Sequence, residues 1–331
     1  MYKSLFLIML MISTIISISS MSWMMAWIGL EINLLALMPL LKTNNNNSTE
    51  AIMKYFMIQA MASAIFLFSI IIFIDNDYLK PFKNQSLILL NSSLLLKLGV
   101  APFHFWLPEV ISGLNWKMNF IMLTWQKISP MILLSYNTNT TMYLSIIIIM
   151  SSFISSIQGL NQTCMRKIFA YSSINHMSWM ISALMNSMST WLIYFIIYSM
   201  MNMNIMIIFN KYKIYYLNQM SYLFYSNKYL KYFFMLNFLN LGGLPPFLGF
   251  FPKWLTVNFM ILNNHYITTV ILIIFSLISL YFYMRITFSS FSFYINESIK
   301  KTFNKIHYMH FFMNFMSLMS LTICTMMVNF L

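Results

Sequence analysis

Apolar runs long enough to cross a bilayer recur along nearly the whole chain, separated only by short polar breaks. A membrane-spanning helix needs about 20 predominantly apolar residues. On that measure the sequence predicts about eleven helices, over roughly 4–20, 22–41, 50–74, 84–111, 117–136, 141–160, 165–186, 188–209, 229–262, 266–287 and 308–330. In lipid a helix satisfies its own backbone groups, which the surroundings cannot do. Charged residues make up 8% of the 331 positions. A soluble domain carries about 25%. A soluble fold is excluded, and the fold class is an all-α polytopic membrane protein.

The remaining charge is lopsided, with 19 Lys and Arg against 6 Asp and Glu. No stretch is long and polar enough to form a basic, water-exposed nucleic-acid-binding domain. The excess reads instead as a topology signal. With eleven crossings, one side holds Lys3, Lys42, Lys117, Arg166, Lys167, Lys211, Lys213, Lys228, Lys231, Arg285, Lys300, Lys301 and Lys305. The other holds Lys80 and Lys83, beside Asp75 and Asp77. Under the positive-inside rule the N-terminus faces the cytoplasm or matrix, and the C-terminus the opposite compartment.

Cys164 and Cys324 are too few and too far apart for an iron–sulfur cluster or a zinc site. The sequence has no H-E-x-x-H, Gly-rich phosphate loop or nucleophile elbow, so no flavin, nicotinamide or haem site is expected. An excess of Met, Phe and Tyr over Gly and Pro suggests an AT-rich coding genome. The first residues lack an Arg-rich presequence and a small-residue cleavage site, so 4–20 is expected to be a retained helix. A mitochondrial protein of this kind would be made inside the organelle.

Two segments resemble each other, 96-LKLGVAPFHFWLP-108 and 239-LNLGGLPPFLGFFP-252. Aligned from their first residues, Leu96, Leu98, Gly99 and Pro102 match Leu239, Leu241, Gly242 and Pro245. They fall in the fourth and ninth predicted helices. An offset of five crossings inverts the second copy relative to the first. Gly and Pro in mid-span interrupt a helix, and paired interrupted helices in inverted halves point to an ion path near the midplane. The expected division is 1–137 and 138–290 as two inverted five-helix repeats, with 291–331 a loop and C-terminal helix.

An ionised side chain at the bilayer centre costs about 2.5–3.5 kcal/mol on insertion scales. Glu31, Lys97, Lys127 and Lys253 fall inside or at the edge of predicted spans, so they must face one another, water or a neighbouring subunit. Glu31 reads either as a carboxylate bonded within its helix or as a proton-path carboxylate. Lys97 comes just before the first break, where freed carbonyls and water could receive a buried ammonium. Burial favours the neutral amine and a carboxylate neighbour the ammonium, so such a lysine could load and release a proton. Lys127 precedes Pro130, expected to kink its helix. Lys253 follows the second break and could instead snorkel. Glu50 and Lys54 are spaced as an i,i+4 pair. His104 and His176 read equally as relays or as packed, hydrogen-bonded groups.

The blocks 25-MAWIGLEINLLALMPL-40, 49-TEAIMKYF-56, 96-LKLGVAPFHFWLPEV-110, 123-LTWQKISP-130, 170-AYSSINHMSWM-180 and 242-GGLPPFLGFFPKW-254 resemble the NADH dehydrogenase subunit 2 family of animal mitochondria. These are antiporter-like subunits of respiratory complex I. The likeness covers nearly the whole chain except 210–235. It implies a fourteen-helix ancestor lacking its first three helices, and two inverted repeats. It also implies a proton path through Glu31, Lys97, Lys127 and Lys253, with His176, His104 and Lys54 as possible relays. The helix of His176 is then the symmetry partner of the Glu31 helix, with His and Ser where a charged partner is expected. The resemblance further implies a multi-pass protein of the mitochondrial inner membrane whose N-terminus faces the matrix and whose C-terminus faces the intermembrane space. Its partners would be other membrane-arm subunits, lipids, protons and water, with no nucleic acid. NADH, FMN, iron–sulfur clusters and ubiquinone would be bound by other subunits. A self-standing cation/proton antiporter and a non-pumping scaffold are the alternatives.

Overall fold

The structure, a computed structural model, describes residues 2–43, 46–74, 83–220 and 228–292 and residue 315. Apart from residue 315, the predicted helix over 308–330 lies outside the described residues, as do Asp75, Asp77, Lys80, Lys300, Lys301, Lys305 and Cys324. Two compact units are present, Met1–Ser151 and Ser152–Leu331.

The first unit is built from α1 (Tyr2–Ser19), α2 (Trp23–Leu41), α3 (Asn46–Ile74), α4 (Lys83–Leu98), α5 (Trp106–Gly113), α6 (Trp116–Leu123) and α7 (Trp125–Ser135). α8 (Thr141–Leu160) follows. α2 packs on α1 and α3, and α3 packs on both α4 and α5. Serines inside these helices return their hydroxyls to the carbonyl one turn back, as Ser13 does to Leu10 and Ser69 to Phe66. A hydroxyl bonded this way can face lipid or a neighbouring helix without an unmet donor.

The second unit holds α9 (Met165–Asn186), α10 (Met188–Tyr212), α11 (Lys228–Gly242), α12 (Phe250–Leu262) and α13 (Tyr266–Ser292). α9 is its central helix, touched by α10, α12 and α13, and every residue from Ser172 to Leu184 is buried. An aromatic cluster of Phe169, Phe209, Phe234 and Phe238 fills the space near one end, with rings 5.1–6.3 Å apart. At that end the loops meet, Cys164 bridging to Tyr216 and Met165 N–H donating to the Tyr215 carbonyl over 2.9 Å. Arg285 of α13 reaches the same end, donating to the Leu160 carbonyl at 2.6 Å and the Gln162 carbonyl at 2.8 Å. These carbonyls belong to the end of α8 and the loop after it, which have no helical donors left. Arg166, Lys167, Lys211 and Arg285 thus gather at one end of the unit.

Most spans match the sequence reading, and three are interrupted. The interruptions after Leu98 and Gly242 were expected from Gly and Pro. The third was not. The helix predicted over 117–136 stops at Thr124, upstream of Pro130, which stays inside α7. Thr124 Oγ1 donates to the Phe120 carbonyl at 2.7 Å, beside the bond from its own N–H, and the chain turns before restarting at Trp125. A β-branched hydroxyl bonding back to the i−4 carbonyl bends a helix without proline.

Arg285 supplies two charge-assisted bonds to otherwise donor-less carbonyls. Arg285→Met is expected to lower unfolding stability in detergent by about 3 kcal/mol, and Arg285→Lys by less, because one ammonium cannot reproduce the fork. Thermal midpoints of the solubilised protein measure both.

Candidate functional site

The two expected helix breaks share one hydrogen-bond pattern. After α4, Gly99 N–H donates to the Leu96 carbonyl and Val100 N–H to the Leu95 carbonyl. After α11, Gly243 N–H donates to Asn240 and Leu244 N–H to Leu239. Both are helix C-caps closed by a left-handed residue, Gly99 at φ 70° and Gly243 at φ 77°. This corrects the repeat register by one residue. Gly99 corresponds to Gly243 rather than Gly242, and Pro102, Phe103 and Pro108 then fall on Pro246, Phe247 and Pro252. The identities at Leu96 and Leu98 had pulled the sequence match out of step.

Each break then fills the space beside its glycine differently. In the first unit the Trp106 indole lies there, and its Nε1–H donates to the Leu96 carbonyl at 3.2 Å. Gln59 of α3 donates to the Lys97 carbonyl at 3.3 Å. In the second unit the Lys253 side chain takes that space, and its Nζ donates to the Gly242 carbonyl at 2.9 Å. The ammonium also lies 5.8 Å from the Trp179 ring centroid, on the buried face of α9.

With its backbone held by side chains, the last turn of α4 presents Lys97 to a polar cavity of 20 Å³. Lys97 and Lys127 both line it, together with Asn33, Gln59, Gln126 and Ser129. A buried water needs roughly 10–15 Å³ and two to four polar partners, so the cavity has room and partners for one. Lys97 is 9% exposed and Lys127 2%, so the two lysines converge away from bulk water. The cavity wall is held by Gln126 Nε2, which donates to Asn33 Oδ1 at 3.0 Å and ties α7 to α2. The Lys97 ammonium also lies 5.7 Å from the Phe66 ring centroid.

Glu31 is half-buried on α2, and it is not in direct ion-pair contact with Lys97. Lys54 sits at the half-exposed end of α3. It pairs with Glu50 at 2.7 Å, as its spacing suggested, and also with Glu109 of α5 at 2.8 Å. Glu109 was missed because the spacing of 54 and 109 carries no local signal. His104 is buried in the first break, its ring 4.4 Å from that of Phe105. His176 Nδ1 is 2.9 Å from the Tyr194 hydroxyl, and its ring is 5.0 Å from that of Tyr198. Tyr198 lies against Ser173 and Asn202, and Tyr283 against Ser172. The face of α9 is thus lined by neutral hydroxyls, and these tyrosines escaped sequence reasoning because each is distant from His176 along the chain.

Fold and site together define a polytopic helical membrane protein whose broken helices carry ionisable groups. The family described as NADH:quinone oxidoreductase/Mrp antiporter, transmembrane, matches residues 20–279. The chain is 46% identical over 309 residues to NADH-ubiquinone oxidoreductase chain 2 of Anopheles gambiae, covering 91% of this chain and 90% of the relative. Its identity to the Bos taurus protein of that name is 38% over 294 residues, covering 86% and 84%. A chain from the structure of respiratory complex I from Thermus thermophilus with bound aureothin superposes with a TM-score of 0.84 at 22% identity, covering 96% of this chain and 77% of that one. The chain belongs to the NADH-ubiquinone oxidoreductase chain 2 family.

A methyl group on Gly243 would lie 2.9 Å from Lys253 Nζ, in a backbone conformation that side chains avoid. On Gly242 it would meet only ordinary contacts, the nearest at 3.5 Å. Gly243→Ala is expected to cost about 1–2 kcal/mol, and Gly242→Ala no more than about 0.5 kcal/mol. Equal thermal midpoints for the two variants would contradict the corrected register.

Proposed function

We propose that the chain is a proton-translocating membrane-arm subunit of NADH:ubiquinone oxidoreductase in the mitochondrial inner membrane, N-terminus toward the matrix. The observation that carries this reading is the convergence of Lys97 and Lys127 on one buried polar cavity beside a helix break. Family membership supports it, and so does the gathering of basic residues at one end of the second unit. Electron transfer would use NADH, FMN, iron–sulfur clusters and ubiquinone on other subunits. This chain would respond to it by moving charge.

In the proposed cycle the Glu31–Lys97 separation is the adjustable quantity. An opposite charge at about 4 Å is worth about 4 kcal/mol at an effective dielectric of 20. Closing the gap holds the proton on the Lys97 amine, and opening it favours passage through the cavity water to Lys127. Lys253 is the ionisable group proposed for the second half of the path, with the His176–Tyr194 pair as its relay. The division into inverted repeats at 1–137 and 138–290 belongs to the same proposal.

Lys97→Met removes the titrating group at similar volume, and Lys97→Arg keeps a charge that does not release its proton. Both are expected to abolish coupled proton yield in an assembled complex. Glu31→Gln is expected to remove most of it, with Glu31→Asp partly tolerated. Proton yield and quinone reduction measured together on the assembled variants decide the matter. A Lys97→Arg complex with normal values for both would overturn the proposal.

A further inference from the structure

We propose that Glu109, with Lys54 and Glu50, admits protons to the first unit. This inference rests on the proton-translocating reading above and adds a residue to it. The corrected register brings Glu109 onto Lys253. Each is the fourth residue of the half-helix that follows its break, α5 beginning at Trp106 and α12 at Phe250. Both units therefore carry an ionisable group in the first turn after the interruption.

The signs are opposite, and helix electrostatics separate their roles. A helix N-terminus favours negative charge, so Glu109 suits its position and Lys253 does not. Lys253 compensates by turning back to donate to the Gly242 carbonyl. Glu109 turns outward to Lys54, where its side chain is 55% exposed and that of Glu50 68%. One lysine between two carboxylates leaves the cluster with a net negative charge at an exposed edge of the unit. A surface ion pair of this kind contributes little to stability, which makes a purely structural clamp a weak explanation.

The same two helices wall the cavity on their inner side. Tyr55 follows Lys54 and Trp106 lies one turn before Glu109; both line the cavity, with rings 5.9 Å apart. α5 packs against α3, whose titratable groups here are Glu50, Lys54 and Tyr55, and His104 precedes α5 on its own strand of chain. In the admitting step a proton from bulk water binds a Glu109 carboxylate oxygen, leaving Lys54 paired with Glu50 alone. The neutral carboxyl then turns from Lys54 and releases that proton inward, past the Tyr55 and Trp106 rings that wall the cavity, to the cavity water, which delivers it to the neutral Lys97 amine. Glu109 recovers its charge and its bond to Lys54.

The test is the pH profile of coupled turnover in the assembled complex. Glu109→Gln is expected to lower turnover about tenfold at pH 8, as expected for loss of an electrostatic collector, and to recover toward the parental rate at pH 6. Glu109→Asp should restore the parental profile. A parental profile in Glu109→Gln would overturn the inference. So would an equal loss at every pH with reduced assembly, which is the signature of a structural clamp. Lys97→Met separates the two levels. If that variant pumps normally the wider reading fails, whereas an inactive Lys97→Met beside an unchanged Glu109→Gln removes only the role of Glu109.

Discussion

A peptide carbonyl that loses its helical donor inside a bilayer must find another, because lipid offers none. The interruptions after α4 and α11 each create such carbonyls, and the surrounding structure can be read as the answer to them. In the first unit neutral donors answer them: Gln59 donates to the Lys97 carbonyl, and Trp106 joins the Gly99 N–H on the Leu96 carbonyl. The Lys97 ammonium is thereby left to face the cavity. In the second unit the ammonium of Lys253 is itself a donor, to Gly242. The same backbone problem thus has a neutral solution in one unit and a charged solution in the other, and the chemistry available to each lysine follows from that difference.

The two units also differ in how they carry polarity through an apolar interior. The first combines Glu31, Lys97 and Lys127 with amides that line their cavity. The second surrounds α9 with hydroxyls and one imidazole, in which His176 meets Tyr194 and serines return to their own helix. Buried polar groups are tolerated only when bonded, and a bonded network holds its geometry more tightly than an apolar one. From Val110 to Asn296 the chain contains no carboxylate side chain. Carboxylate counter-charge for the buried lysine of the second unit must therefore come from outside that stretch, which explains why Lys253 settles on a carbonyl.

Spans were legible where composition alone decides them. The helix over 165–186 appears as Met165–Asn186, and 141–160 as Thr141–Leu160. Breaks encoded by Gly and Pro were legible too, while their register was not: two matching leucines outweighed the glycine that actually closes the helix. The Thr124 interruption was hidden because a threonine bonding back to its helix leaves no compositional mark. Lys97 and Lys127 were visible as charges in apolar runs, since such a position demands a partner. Their shared cavity, the outward pairing of Glu109 and the tyrosines around His176 depend on contacts between distant segments, for which periodicity has no signal.

In the proposed mechanism the helix break after α4 makes a hydrated meeting point for Lys97 and Lys127. High-resolution density of the assembled complex tests it directly, through ordered water in the cavity bounded by Asn33, Gln59 and Gln126. The expected result is a water within hydrogen-bond distance of the Lys97 ammonium, bridging toward Lys127. A dry cavity, with the Lys97 ammonium bonded only to protein, would contradict it.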